Sequence, residues 1–290
     1  FPSSFANFVR CCMKDFEDNN NEFSKGSIFE SARFLKSASM KAPLYYLSDT
    51  LFEDEFGTLE HIDTKDFVQL YKPLDIAVVF SLLYITRRAE RMISEHDWSI
   101  MVEPLVLRTE LGALVGKAIP GIGISLGLLA GAMRSLALAT FLAHDEKGFG
   151  QYRRALKISK LPYDQTHELE RWGCCHPQVC SSMLVTYGFR SQYATGIYNG
   201  LAEGWTSKDD HSPGNDLAYK TKLVEKWTEA LLETGLAPDI THNSDLYPSQ
   251  GALAKLKEQV QHIKQKGPQS LWLMKRKEDV TPELTPKLCK

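Results

Sequence analysis

Ser125-Leu-Gly-Leu-Leu-Ala-Gly-Ala-Met-Arg-Ser-Leu-Ala-Leu-Ala-Thr-Phe-Leu-Ala143 is the stretch whose reading decides the fold. It is apolar almost all round, so it is either the central helix of an α-helical protein or a membrane span. A span needs about 20 consecutive apolar residues. Here Pro120, Gly121 and Gly123 break the approach, and Arg134 would fall at the bilayer centre. A buried core helix is therefore expected, and no membrane span. Gly123, Gly127 and Gly131 recur along one helix face, where the lack of a side chain lets a neighbouring helix approach closely.

The flanking sequence repeats the helical period and offers almost no strand signal. Upstream, apolar residues at helical spacing predict helices over 5–16, 28–39, 64–70, 75–92 and 98–116. In 75–92, Ile76, Val79, Phe80, Leu83 and Tyr84 share a face, and Arg87, Arg88 and Arg91 crowd the last turns, where cations suit the helix dipole. Downstream, helices are expected over 151–158, 162–172, 177–187, 191–201, 217–234 and 249–264. Pro177 suits a first helical turn, and Gly188 and Gly235 are expected to terminate helices. The stretch 205–216 reads as a polar loop, and the tail from Lys275 as a charged, proline-rich end. The organisation that follows is an all-α protein with an N-terminal helical lobe over 1–94, a helical core over 95–236, and a C-terminal helix and tail over 237–290, together forming one unit.

At 290 residues, 43% hydrophobic and 24% charged, the composition is that of an ordinary globular protein. A net charge of −2 with no dominant basic run argues against nucleic acid as a partner. The six cysteines include the vicinal pairs Cys11-Cys12 and Cys174-Cys175. No secretory leader pattern opens the sequence, so reduced thiols and a cytoplasmic location are expected.

Four constellations could carry chemistry. His-Asp occurs at His96-Asp97 and at His144-Asp145. Adjacent imidazole and carboxylate can hold one divalent metal ion that polarises phosphate and activates water. Both pairs sit at helix ends, where Asp is also an ordinary cap, and capping is the expected role. Cys174-Cys175-His176-Pro-Gln-Val-Cys180 contains zinc-ligand types, but adjacent cysteines diverge and no second pair completes four ligands. A structural role is expected there, with His176 at the helix N-cap just before Pro177 and Cys180 facing the core. Gly121-Ile-Gly123 runs into a helix whose N-terminus could hold phosphate, but no strand precedes it, so close helix packing is the simpler account. No Gly-x-Ser-x-Gly elbow occurs. The tryptophans Trp98, Trp172, Trp205, Trp227 and Trp272 are expected to anchor the core or interfaces.

Several segments, in order, resemble an HDOD domain, a degenerate relative of the HD-superfamily metal-dependent phosphohydrolases. Gly127-Leu-Leu-Ala-Gly-Ala-Met133 is similar to that family's Gly-Leu-Leu-His-Asp/Asn-Ile-Gly element. Tyr152-Arg-Arg-Ala-Leu156 and the run from Glu168 through Gly173 to His176 resemble its following segments. Weaker similarities lie at 32–39 and 63–87. On this register Ala130 and Gly131 stand where a catalytic relative carries His and Asp, and Glu103 stands near its upstream His. The resemblance therefore implies an HD-like helical bundle without a metal cofactor. It implies a non-catalytic module of bacterial signal transduction that binds a regulatory protein partner or a signalling nucleotide. Trp98, Glu103, Arg134 and His176 would line the ligand pocket, with Glu103 or a ligand phosphate as the acceptor for Arg134. The alternatives are a metal-dependent phosphohydrolase using His96, Asp97, His144 and Asp145, and a purely structural helical adaptor.

Overall fold

The computed structural model describes residues 3–56, 64–204, 213–240 and 244–268. Among the described residues there are helices and no strand. In chain order they are α1 (Ser3–Asp18), α2 (Lys25–Phe34), α3 (Ala38–Leu51), α4 (Glu53–Phe56), α5 (Thr64–Leu70), α6 (Pro73–Met92) and α7 (Glu95–Ala118). Then come α8 (Ile124–His144), α9 (Glu146–Ser159), α10 (Gln165–Trp172), α11 (His176–Thr186), α12 (Ser191–Leu201) and α13 (Pro213–Glu233). A short 3-10 turn (Ser244–Leu246) precedes α14 (Gln250–Lys266).

Local chemistry accounts for many of the boundaries. Ser24, Ser94, Asp145, Asp164 and Ser249 each accept a hydrogen bond from a backbone N–H in the first turn of the helix that follows. Gly188, with φ +100°, follows α11, and the Gly188 and Phe189 N–H groups bond back to Val185 and Leu184. A side chain at 188 would also meet the Ala6 carbonyl oxygen at 2.6 Å, so this glycine both ends α11 and admits α1.

The helices α5 and α12 coincide with the expected stretches. The single helix expected over 28–39 is instead two: α2 stops at Phe34 and α3 restarts behind Ser37 and runs on to Leu51. The periodicity of 38–51 is masked because Pro43 lies inside it and eight of its residues, including Tyr45 and Ser48, are buried. Helix α9 begins at Glu146, earlier than its apolar pattern, because Asp145 caps it. Most of the expected 205–216 loop, the tail from Lys275, Trp205, Trp272 and Cys289 lie outside the described residues.

At the centre stands the α7–α8 hairpin. Ideal Cβ atoms on Gly112, Gly116, Gly127 and Gly131 would lie 2.1–2.2 Å from carbonyl oxygens of the facing helix. The two backbones are in direct contact along this seam, which side chains would forbid. Helix α8 is the one described helix long and apolar enough to cross a membrane, and most of it is buried within the protein. Helices α6, α11 and α13 pack around it. One continuous hydrophobic core runs from Phe5 on α1 to Ile263 on α14, through Trp98, Leu128, Met133 and Trp227. A smaller cluster of Phe141, Leu142, Phe149 and Tyr152 sits at the far end of α8, where Trp172 stacks on Phe141 at 4.4 Å.

Candidate functional site

Two buried polar groups meet beside the second half of α8. The first centres on Glu168 of α10, which is fully buried. Its carboxylate accepts the His176 backbone N–H at 2.7 Å and faces the His176 Nδ1 at 2.9 Å. It also accepts the Tyr152 hydroxyl hydrogen at 2.6 Å, and the same Tyr152 oxygen accepts the Asp164 N–H at 3.0 Å. Burial, followed by the Glu168 carboxylate, pushes the Tyr152 phenol well above its ordinary range. The short turn between α10 and α11, which opens at Gly173 with φ +71°, brings Glu168 under the first residue of α11. Cys175, not His176, occupies the cap position, and Pro177 follows in the first turn.

The second group centres on Arg134. A permanent guanidinium charge inside an apolar helix must find acceptors. Sequence position suggested Glu103, but Glu103 is exposed on α7 and is not among the acceptors. Arg134 instead pairs with Glu225 and, at 3.2 Å, with Glu229, both on α13. Its guanidinium lies 4.1 Å from the centre of the Tyr163 ring. The opposite charge of the two glutamates outweighs burial and holds Arg134 above the ordinary arginine range. Arg108 on α7 adds a second cation near Glu225 and Glu229, and burial lowers it from its ordinary value.

Tyr163 joins the groups, because its ring also meets His176 edge-on at 4.8 Å between centroids. Of the four residues expected to line one pocket, Arg134 and His176 are thus brought together. Trp98 is buried in the main core and Glu103 lies outside. Sequence reasoning missed Arg108, Tyr163, Glu225 and Glu229. Tyr152 and Glu168 lay within the quoted segments, but nothing marked them as partners of His176.

The His-Asp pairs go elsewhere. The antiparallel register of the hairpin puts the start of α7 level with the end of α8, so both pairs lie at one end of the molecule. His96 and His144 are exposed. Asp97 accepts the Ser94 hydroxyl at 2.6 Å, and Asp145 caps α9 and pairs with Arg171 at 2.9 Å. Hydrogen bonding from Gly148, then the Arg171 charge, holds Asp145 below the ordinary carboxylate range. Among the described residues no three His, Cys, Asp or Glu side chains converge as a metal-binding group. The five described cysteines are free thiols, and burial raises each from its ordinary value. Cys180 is fully buried and donates to the Met133 carbonyl at 3.2 Å.

Ala130 and Gly131 are both buried, and Gly131 lies in the hairpin seam. A side chain at 131 would meet the Arg108 carbonyl oxygen at 2.2 Å. Neither residue has a metal-ligating atom, and the backbone of α7 fills the space that a carboxylate at 131 would need.

A cavity of about 820 Å³ lies instead between the N-terminal helices and the core. The Pro120–Leu126 turn, Lys72, Lys117 and Lys220 help to line it. The α8 N-terminus beside it already has an acceptor: Asp75 of α6 accepts the Ser125 N–H at 3.0 Å. Compared with known proteins, the chain matches no family model, no curated protein and no solved structure.

Proposed function

We propose that this chain is a non-catalytic, HDOD-like regulatory module of bacterial signal transduction, acting in the cytoplasm by binding a protein partner or a small nucleotide. The observation that carries this reading is the seam at Ala130 and Gly131. The position where a phosphohydrolase of the resembled family carries its metal ligands holds the buried methyl group of Ala130 and the bare Cα of Gly131, the latter against the Arg108 carbonyl. The acid–base groups nearby support it, since Glu168 is engaged by His176 and Tyr152, and Glu225 and Glu229 by Arg134. Glu168, His176 and Tyr152 are moreover fully buried, out of a substrate's reach in this structure.

The rival is a metal-dependent phosphohydrolase built on His96, Asp97, His144 and Asp145, favoured by the hairpin register that puts both pairs at one end. Metal analysis of the purified chain, with hydrolysis of bis(p-nitrophenyl) phosphate in added Mn²⁺, separates them. We expect substoichiometric metal, unchanged in His144→Ala, and no hydrolysis. A stoichiometric transition metal lost in His144→Ala, with hydrolysis lost alongside it, would overturn the regulatory reading.

A further inference from the structure

Two grooves on the outer face join into one surface with two kinds of chemistry. The larger, about 700 Å³, lies between α2, the end of α6 and the segment after α11. Arg33, Arg87, Arg88 and Arg91 line it with Tyr84 and Tyr187, and no carboxylate is among its lining residues. In a chain of net charge −2 this is a local excess of positive charge. Arg87 is half-buried, bonds weakly to the Ser39 carbonyl at 3.4 Å, and is lowered from its ordinary value chiefly by burial. Arg33 pairs at 3.4 Å with Glu30, one turn away on the same helix. The helix dipole explains cations at the end of α6. It does not explain why Arg33 of another helix joins them.

The second groove, about 330 Å³, runs between α6, α8 and α11. Its walls are mainly apolar: Ile85, Ala89, Met92, Ala139, Val179 and Met183. Arg88, Met92 and Tyr187 border both grooves, so the basic and apolar compartments are continuous. Met92 is 54% exposed at the junction. Methionine side chains repack readily around an incoming apolar group, and a trough between helices suits the i, i+3, i+4 anchors of a docked helix.

We infer that this joined groove is the docking site for an amphipathic acidic helix of a partner protein, its apolar anchors in the α6–α8–α11 trough and its carboxylates against the four arginines. The inference rests on the regulatory reading above and names the chemistry of its partner. Charge complementarity selects an acidic segment, and the apolar extension selects a side-chain-bearing helix over a compact phosphorylated ligand.

The test uses the full chain and fluorescence anisotropy. The probe is a labelled 16-residue helical peptide of Glu and Leu, with Leu at i, i+3 and i+4. The controls are the Lys/Leu counterpart, a Glu-only peptide and unlabelled ATP. We expect saturable binding of the Glu/Leu peptide alone, weakened about tenfold or more, or about 1.4 kcal/mol, by Arg88→Glu with Arg91→Glu and separately by Met92→Glu. All three positions line the grooves, and an unchanged melting temperature shows that the variants fold. The inference is overturned if the Glu/Leu peptide does not bind, if charge reversal leaves its binding unchanged, or if the Glu-only peptide binds equally well. It is equally overturned if ATP displaces the peptide and raises the melting temperature in an arginine-dependent way, since the groove would then hold a phosphorylated ligand. None of these results bears on metal content or phosphodiester hydrolysis, whose appearance would overturn the regulatory reading by itself.

Discussion

Glu168 accepts from the His176 backbone, faces the His176 ring and accepts from the Tyr152 hydroxyl, all without contact with solvent. Removing a buried acceptor strands every donor it served, and each stranded donor costs about 1–3 kcal/mol. Glu168→Ala is therefore expected to destabilise the fold by about 3–5 kcal/mol, and Tyr152→Phe by about 1–2 kcal/mol. Urea denaturation followed by circular dichroism checks both, and equal losses would contradict the central place given to the carboxylate. Glu225→Ala leaves the Arg134 charge buried with only the more exposed Glu229, and is expected to cost about 3–5 kcal/mol in the same assay. His176 was legible from its place before Pro177, and Arg134 from its charge in an apolar run. The partners of Arg134 were not, because Glu225 and Glu229 lie 91 and 95 residues from it in the chain. No local spacing signals a contact across that distance.

At the scale of elements, the α7–α8 hairpin depends on missing side chains. In Gly127→Ala the new methyl would lie 2.1 Å from the Gly112 carbonyl oxygen, a backbone atom that cannot step aside. The hairpin would have to open, at about 1–3 kcal/mol or more by the usual cost of overpacking. Gly150, on α9, has nothing within 4 Å of its would-be methyl. Gly150→Ala is expected to raise stability by about 0.5–1 kcal/mol through helix propensity alone. The two changes are chemically identical, and thermal unfolding should move in opposite directions. The glycine spacing on α8 announced a close neighbour. The neighbour's own glycines, Gly112 and Gly116, follow the same four-residue interval. The boundary between α2 and α3 was harder to read, because Pro43 and a largely buried surface blur the amphipathic pattern of α3.

Across the whole molecule, pH acts through two aspartates with opposite signs. Asp145 is held below the ordinary aspartate range by Gly148 and Arg171. It therefore contributes stability above that range and loses it as pH falls through its lowered value. Asp75 is raised, chiefly by burial, so the folded state favours its protonated form. Its contribution is largest in acid and falls as pH rises through the raised value. The stability lost in Asp145→Asn should thus grow from acid toward neutral pH, while that lost in Asp75→Asn should shrink. Denaturation midpoints of both variants and the parent over an acid-to-neutral series measure this, and parallel profiles would refute it. One hydrophobic core from Phe5 to Ile263 carries these local effects into a common stability.

By itself the sequence determined the all-helical class, the central apolar helix and the closeness of its neighbour, because helical period, caps and glycine contacts are set by residues within a few positions of one another. Only the tertiary structure decided which charges meet. Folding joined α13 to Arg134, placed α10 under α11, and carried Arg33 of α2 to the arginines of α6. Those meetings depend on how helices far apart in the chain pack around α8, and packing selects by the shape of whole surfaces, which no short stretch of residues contains.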